Sequence, residues 1–164
     1  MIVISDTTPI ISLLKLNRLD LLKELFGTVF VPQSVLEELT INEKYSVEAE
    51  MIFKSEFIET KSVFDATAVN VLMKVNMLDR GESEAIVLFC ELNAEILLMD
   101  ERRGREIAQK LGINLSGTLG ILMKAFDKGL LNKSEILNCL NELQKNNRQI
   151  SENLISRVKI HIGL

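Results

Sequence analysis

The stretch MIVISDTTP, residues 1–9, decides the fold. Ile2, Val3 and Ile4 form a short apolar run rich in β-branched residues. Such a run marks a strand buried on both faces, as in a parallel sheet. It stops at Ser5, which leaves Asp6 at the strand's carboxyl end. Thr8 suits a helix N-cap and Pro9 a first helical position, so a helix should begin at once. Ligands of open α/β sheets bind beyond the carboxyl ends of the strands. Asp6 therefore either looks into a functional crevice or serves only the turn and the cap.

The same pattern returns further along. Residues 28–31 (TVFV) read as a second strand, 95–99 (EILLM) as another buried one ended by Asp100, and 113–115 as a short one. Residues 57–63 are ambiguous between strand and extended chain. Helical patterns cover residues 10–16, 19–26, 34–39, 45–58, 66–77, 82–92 and 101–111, and a further one follows the stretch GTLG (117–120) and runs to 128. Two more, over 133–144 and 150–159, finish the chain. Strands alternating with helices predict a three-layer α/β/α domain with a central parallel sheet. Residues 1–164 read as one domain, with 129–164 as its helical extension.

Composition narrows the chemistry. Hydrophobic residues make up 47% of the 164, enough for a substantial core. No apolar run reaches the roughly 18 residues that a membrane helix needs. The N-terminus lacks a basic, signal-like pattern, so a cytoplasmic protein is expected. Cys90 and Cys139 fall at apolar-compatible helical positions and are expected to be buried thiols. His161 is the only histidine, which excludes a multi-histidine zinc site. Carboxylates remain the abundant reactive groups, and carboxylate clusters suit magnesium or manganese. The net charge of −4 gives no bulk attraction to nucleic acid, although a local basic patch is compatible with it.

Four acids are candidates for one such cluster. Asp100 repeats the logic of Asp6 at a second strand end, with an N-cap as the plain alternative. Glu82 projects along the line of Ile86 and Phe89, inside the apolar stripe of its helix, while Glu84 points about 160° away, toward solvent. An inward carboxylate needs a partner. In the first turn the helix dipole is one candidate and a cation another. Glu38 lies at the edge of the face formed by Val35, Leu36 and Leu39, and Glu37 lies further round, in solvent. Packed together, Asp6, Glu38, Glu82 and Asp100 could not all ionise without a cation. One or two divalent metals would resolve the repulsion and activate a water for in-line attack on a phosphodiester.

From residue 1 to about 129 these motifs resemble the PIN-domain superfamily of metal-dependent ribonucleases, which includes the VapC-like toxins of toxin–antitoxin pairs. The apolar strand ending in Asp6-Thr7-Thr8 is similar to the family's first acidic motif. The stretch VPQSVLEEL (31–39) is similar to the second, with Glu38 in the acidic place. DRGESEA (79–85) and LMDERRGR (98–105) resemble an uncharacterised PIN-like branch. Their acids, Glu82 and Asp100, stand 18 residues apart, as in the family. The third acid is usually Asp, and Glu82 here carries one methylene more.

The resemblance implies a PIN-like fold with the four acids at one end of the sheet. It also implies magnesium or manganese, single-stranded RNA as substrate, homodimers and often an antitoxin partner. Metal ligation would fall to Asp6, Asp100 and Glu82, with Glu38 completing the catalytic set. Thr8, beside the first acid, and Thr118, at the next strand end, are candidates to orient a carboxylate, or else caps. Arg103 could face the crevice and hold phosphate, or pair with Glu101, Glu106 or an acid of the cluster. The tail from Met123 on carries an excess of three positive charges, which suits either RNA or a solvated surface. Base-stacking platforms are scarce, with no Trp and one Tyr. The alternative is a catalytically weak or inactive PIN-fold module that binds nucleic acid or protein. No Gly-rich loop follows the first strand, which argues against a phosphate-handling α/β enzyme of another kind.

Overall fold

The computed structural model describes residues 1–146 and 148–164. Among them, five strands form one sheet: β1 (Val3–Ser5), β2 (Val29–Pro32), β3 (Ile58–Lys61), β4 (Ile96–Leu98) and β5 (Leu115–Ser116). Their order is β3-β2-β1-β4-β5, and every pairing is parallel. β1 is central. Val3 stands beside Val29 on one side and Ile96 on the other, and Ser5 stands beside Leu98.

Successive strand residues face opposite sides of a sheet. Val3 and Leu98 enter one apolar cluster, with Leu13, Leu22, Val35 and Ile121. Ile4 and Leu97 enter another, with Ile86, Leu88, Met99 and Ala108. Each fully buried Leu or Ile contributes about 1.5–3 kcal/mol. Helices α1 (Thr7–Lys15), α2 (Asp20–Phe26), α3 (Gln33–Ile41), α4 (Ser46–Phe53), α8 (Thr118–Asp127), α9 (Lys133–Lys145) and α10 (Glu152–His161) feed the first cluster. Helices α5 (Ala66–Val75), α6 (Arg80–Glu91) and α7 (Arg102–Lys110) feed the second. The sheet thus has a core on each face, the three-layer α/β/α arrangement expected. Among the described residues no helix is long and apolar enough to cross a membrane.

Several boundaries differ from expectation. Helix α1 begins at Thr7, with Asp6 in the N-cap position and Pro9 within the first turn, where its missing N–H costs nothing. The helix expected over 45–58 stops at Phe53, and Ile58–Lys61 pairs with β2 as an edge strand. Only Ile58 of β3 is buried, so its apolar signal is faint. Cys139 is buried, but Cys90 is exposed at the end of α6, contrary to expectation.

Candidate active site

Helix α6 organises the site. Asp79 caps it: its Oδ1 accepts the Glu82 amide at 2.7 Å, and Glu82 Oε2 accepts the Asp79 amide at 3.0 Å. This reciprocal pair is a capping box, which satisfies two otherwise unpaired donors at the helix start. It also fixes Glu82 inward, buried as its helical position predicts. The other oxygen, Oε1, points at Gly104 and lies 3.0 Å from where a Cβ on that glycine would sit. Burial is the main cause that raises the Glu82 pKa above its ordinary value. The amide bond from Asp79 opposes it, and the Asp79 charge adds to it.

Asp6 lies at the end of β1, only 3% exposed, with its amide donated to Leu98 O at 2.9 Å. No side chain among the described residues donates to its carboxylate. Burial pushes its pKa from 3.8 up to about 8; the Thr7 backbone opposes this, and the charges of Asp79, Glu82 and Glu38 reinforce it. Gly81 makes room for that convergence. A Cβ there would sit 3.4 Å from Asp6 Oδ1, 3.4 Å from Asp79 Oδ1 and 3.7 Å from Glu38 Oε2. Glu38 is exposed, yet its Oε2 accepts the hydroxyl of buried Thr7 at 3.0 Å. Strand β1 and helices α3 and α6 thus aim acids at a single cradle beside Gly81.

Asp100 belongs to the adjacent strand end. Its Oδ1 accepts the Thr118 amide at 2.8 Å and its Oδ2 the Thr118 hydroxyl at 2.6 Å, so the start of α8 holds the carboxylate in place. Gly117 lets it approach, since a Cβ there would meet Asp100 Oδ1. Arg148, between α9 and α10, also donates to Oδ2 at 2.9 Å and to Ser12 Oγ at 2.8 Å. Asp100 is not among the charges that shift Asp6. The four predicted acids therefore form two neighbouring groups: Asp6, Glu38 and Glu82, with Asp79 added, and Asp100 with Thr118 and Arg148.

The remaining candidates are more scattered. Thr8 is half-buried and lines a cavity of about 280 Å³ with Ser12, Lys15, Lys44 and Arg148. Its neighbour Thr7 is the residue that touches an acid. Arg103 donates through Nε to Asn76 O at 2.8 Å, at the carboxyl end of α5, and its charge acts on Glu82. Glu84, expected in solvent, is buried: its Oε2 accepts the Ser34 amide at 3.2 Å and its Oε1 the Arg80 Nε at 2.7 Å. Glu37, expected in solvent, is half-buried and pairs with the same arginine at 3.2 Å, while Glu38, expected at the boundary, is the more exposed of the two. Helix α6 is buried from Gly81 to Leu88, so only Arg80 at its start faces water over the first two turns. Sequence reasoning missed Asp79 as a site residue, although Asp79 and Glu82 carry the spacing of a capping box.

A divalent cation fits these residues by donor chemistry. All the donors are hard carboxylate oxygens, they come from separate elements, and three of them converge on the open face of Gly81, where no side chain stands. Among the described residues, no three acids already close on one point as a finished ligand set. No curated protein matches the chain. A family model described as a PIN domain matches residues 2–163. With that match across nearly the whole chain, and acids gathered at the carboxyl ends of a parallel sheet, the chain belongs to the PIN-domain family.

Proposed function

We propose that this protein is a divalent-cation-dependent endoribonuclease that hydrolyses phosphodiester bonds of single-stranded RNA. PIN domains are generally nucleases and generally use divalent metal ions. The single observation that carries the reading is Asp6. A carboxyl buried to 3% exposure, with no side-chain donor and with acids from α3 and α6 around it, has its pKa raised to about 8. A core carboxylate kept at such a cost points to function rather than stability.

Asp6 and Asp100 would hold the cation, with Glu82 Oε1 and Glu38 completing its surroundings. A divalent cation supplies a Lewis acid there, which lowers the pKa of water and offsets phosphate charge. Thr118 fixes both oxygens of Asp100, and Thr7 fixes Glu38, so little reorganisation remains for substrate binding. The cavity of about 540 Å³ beside Asp100, lined by Arg102 and Arg148 as well as Glu101, offers room for the strand and guanidiniums for its phosphates. Incubation with single-stranded RNA and Mn2+ should yield cleavage that chelation stops and Asp6→Asn abolishes. Cleavage by Asp6→Asn at the wild-type rate would refute the assignment.

The same reading takes the chain as one domain that works in the cytoplasm, as a homodimer and as the toxin of a toxin–antitoxin pair. Phe64, Val71, Val75 and Met77, exposed apolar residues on and beside α5, support a protein partner there. Light scattering of the purified chain tests the dimer. A second reading, a PIN-fold module that binds without cutting, is favoured by Arg148, which already neutralises Asp100. Failure to take up Mn2+ would decide for it.

A further inference from the structure

Arg148 lies at the edge of the acidic end, on the segment between α9 and α10. Its Nη2 donates both to Asp100 and to Ser12, and its Nη1 lies 3.9 Å from Glu101 Oε1. Asp100 does not need it for orientation, because Thr118 already binds both carboxylate oxygens. What Arg148 supplies is charge. It stands where a positive charge offsets Asp100, the same task that a cation would perform.

Arg148 also lines two cavities. One, of about 540 Å³, has Asp100, Arg102 and Gln149 in its wall. The other, of about 280 Å³, has Lys15, Lys44 and Ser12. Glu101 lines both cavities as well, and Asp100 only the larger, so the Arg148 guanidinium stands between Asp100 on one side and the lysines of the smaller cavity on the other. A planar guanidinium binds carboxylate and phosphate oxygens in the same two-pronged manner.

We propose that Arg148 is an exchangeable counter-ion, neutralising Asp100 in the cation-free chain and passing to a phosphate of single-stranded RNA once a divalent cation takes Asp100. A cation at Asp100 repels the guanidinium, and the phosphodiester beside it attracts it. Asp100 stays in place on Thr118 throughout. The exchange makes Arg148 a positioning residue, and it couples cation uptake to RNA uptake. It presupposes the nuclease function proposed above.

Two measurements on the full chain test it, neither of them activity. In calorimetric titration with Mn2+ and no RNA, Arg148→Ala should bind about two- to fivefold more tightly than wild type, because an internal competitor worth a partly exposed ion pair is gone. With Ca2+ in place of Mn2+ to suppress cleavage, binding of a fluorescent oligouridylate should weaken in Arg148→Ala. Its salt dependence should become shallower by about one unit of log–log slope, and Arg148→Lys should restore the slope. Equal Mn2+ affinity, or an unchanged salt slope, would overturn the exchange while leaving the nuclease function standing. No Mn2+ uptake by either protein would overturn both.

Discussion

Replacing Asp6 by Asn should make the cation-free protein more stable, and only above acid pH. The neutral amide matches the protonated carboxyl in shape and keeps a favourable N-cap residue. In the folded chain Asp6 titrates at about 8, against 3.8 as its ordinary value. Between about pH 4 and 8 the folded chain therefore holds a proton that the unfolded chain has lost. Stability falls as pH rises through that window and levels off above it. At pH 7 the gap corresponds to about 4 kcal/mol at 1.36 kcal/mol per unit, and at pH 4 to about half a kcal/mol. For a chain of this length 4 kcal/mol is about 8–16 °C in Tm. With no Trp in the chain, far-UV circular dichroism with EDTA present is the suitable probe of unfolding. Saturating Mn2+ should narrow the difference, because it stabilises only the wild type, by about 2.7 kcal/mol at a hundred times Kd. Equal stability of Asp6→Asn and wild type at pH 7, or a difference that persists unchanged at pH 4, would refute the reasoning.

Further outcomes follow from the same geometry. Mn2+ affinity should rise up to about tenfold per pH unit below about 8, since uptake releases the Asp6 proton; calorimetry in buffers of different ionisation enthalpy counts that proton. Gly81→Ala should leave Tm level or slightly raised, as alanine favours a helix, yet abolish Mn2+ uptake by placing a methyl between Asp6 and Glu38. Glu82→Gln should keep the capping box and the fold while losing cleavage, read by dichroism beside an RNA gel. Asp79→Ala should cost about 1 kcal/mol through loss of the cap, measured by urea unfolding.

Much of this was legible in short-range patterns. The β-branched run before Asp6 and the apolar run before Asp100 each announced a buried strand and its end, and they became the adjacent strands β1 and β4. Helical period alone set Glu82 inward, because its stripe depends on neighbours within two turns, but it misranked Glu37 and Glu38: Glu38 is the exposed one, and Arg80 covers Glu37. What the pattern missed depends on other elements. Glu84 looked solvated on its own helix, yet the start of α3 and Arg80 enclose it. The threonine in contact with Glu38 proved to be Thr7, because α1 starts one residue before the expected cap. Arg148 reaches Asp100 across 48 residues, from a segment with no periodicity to read. Asp79 was locally visible, but only as a cap, and its place beside Asp6 required the packing of α6 against β1.

Anomalous scattering from a crystal soaked in Mn2+ would locate the cation that the buried acids are proposed to hold. A peak should lie in bonding contact with a carboxylate oxygen of Asp6, at about 2.0–2.6 Å, on the side that faces Asp100. A saturated crystal with no density at Asp6, or with its only Mn2+ on remote surface acids, would contradict that proposal.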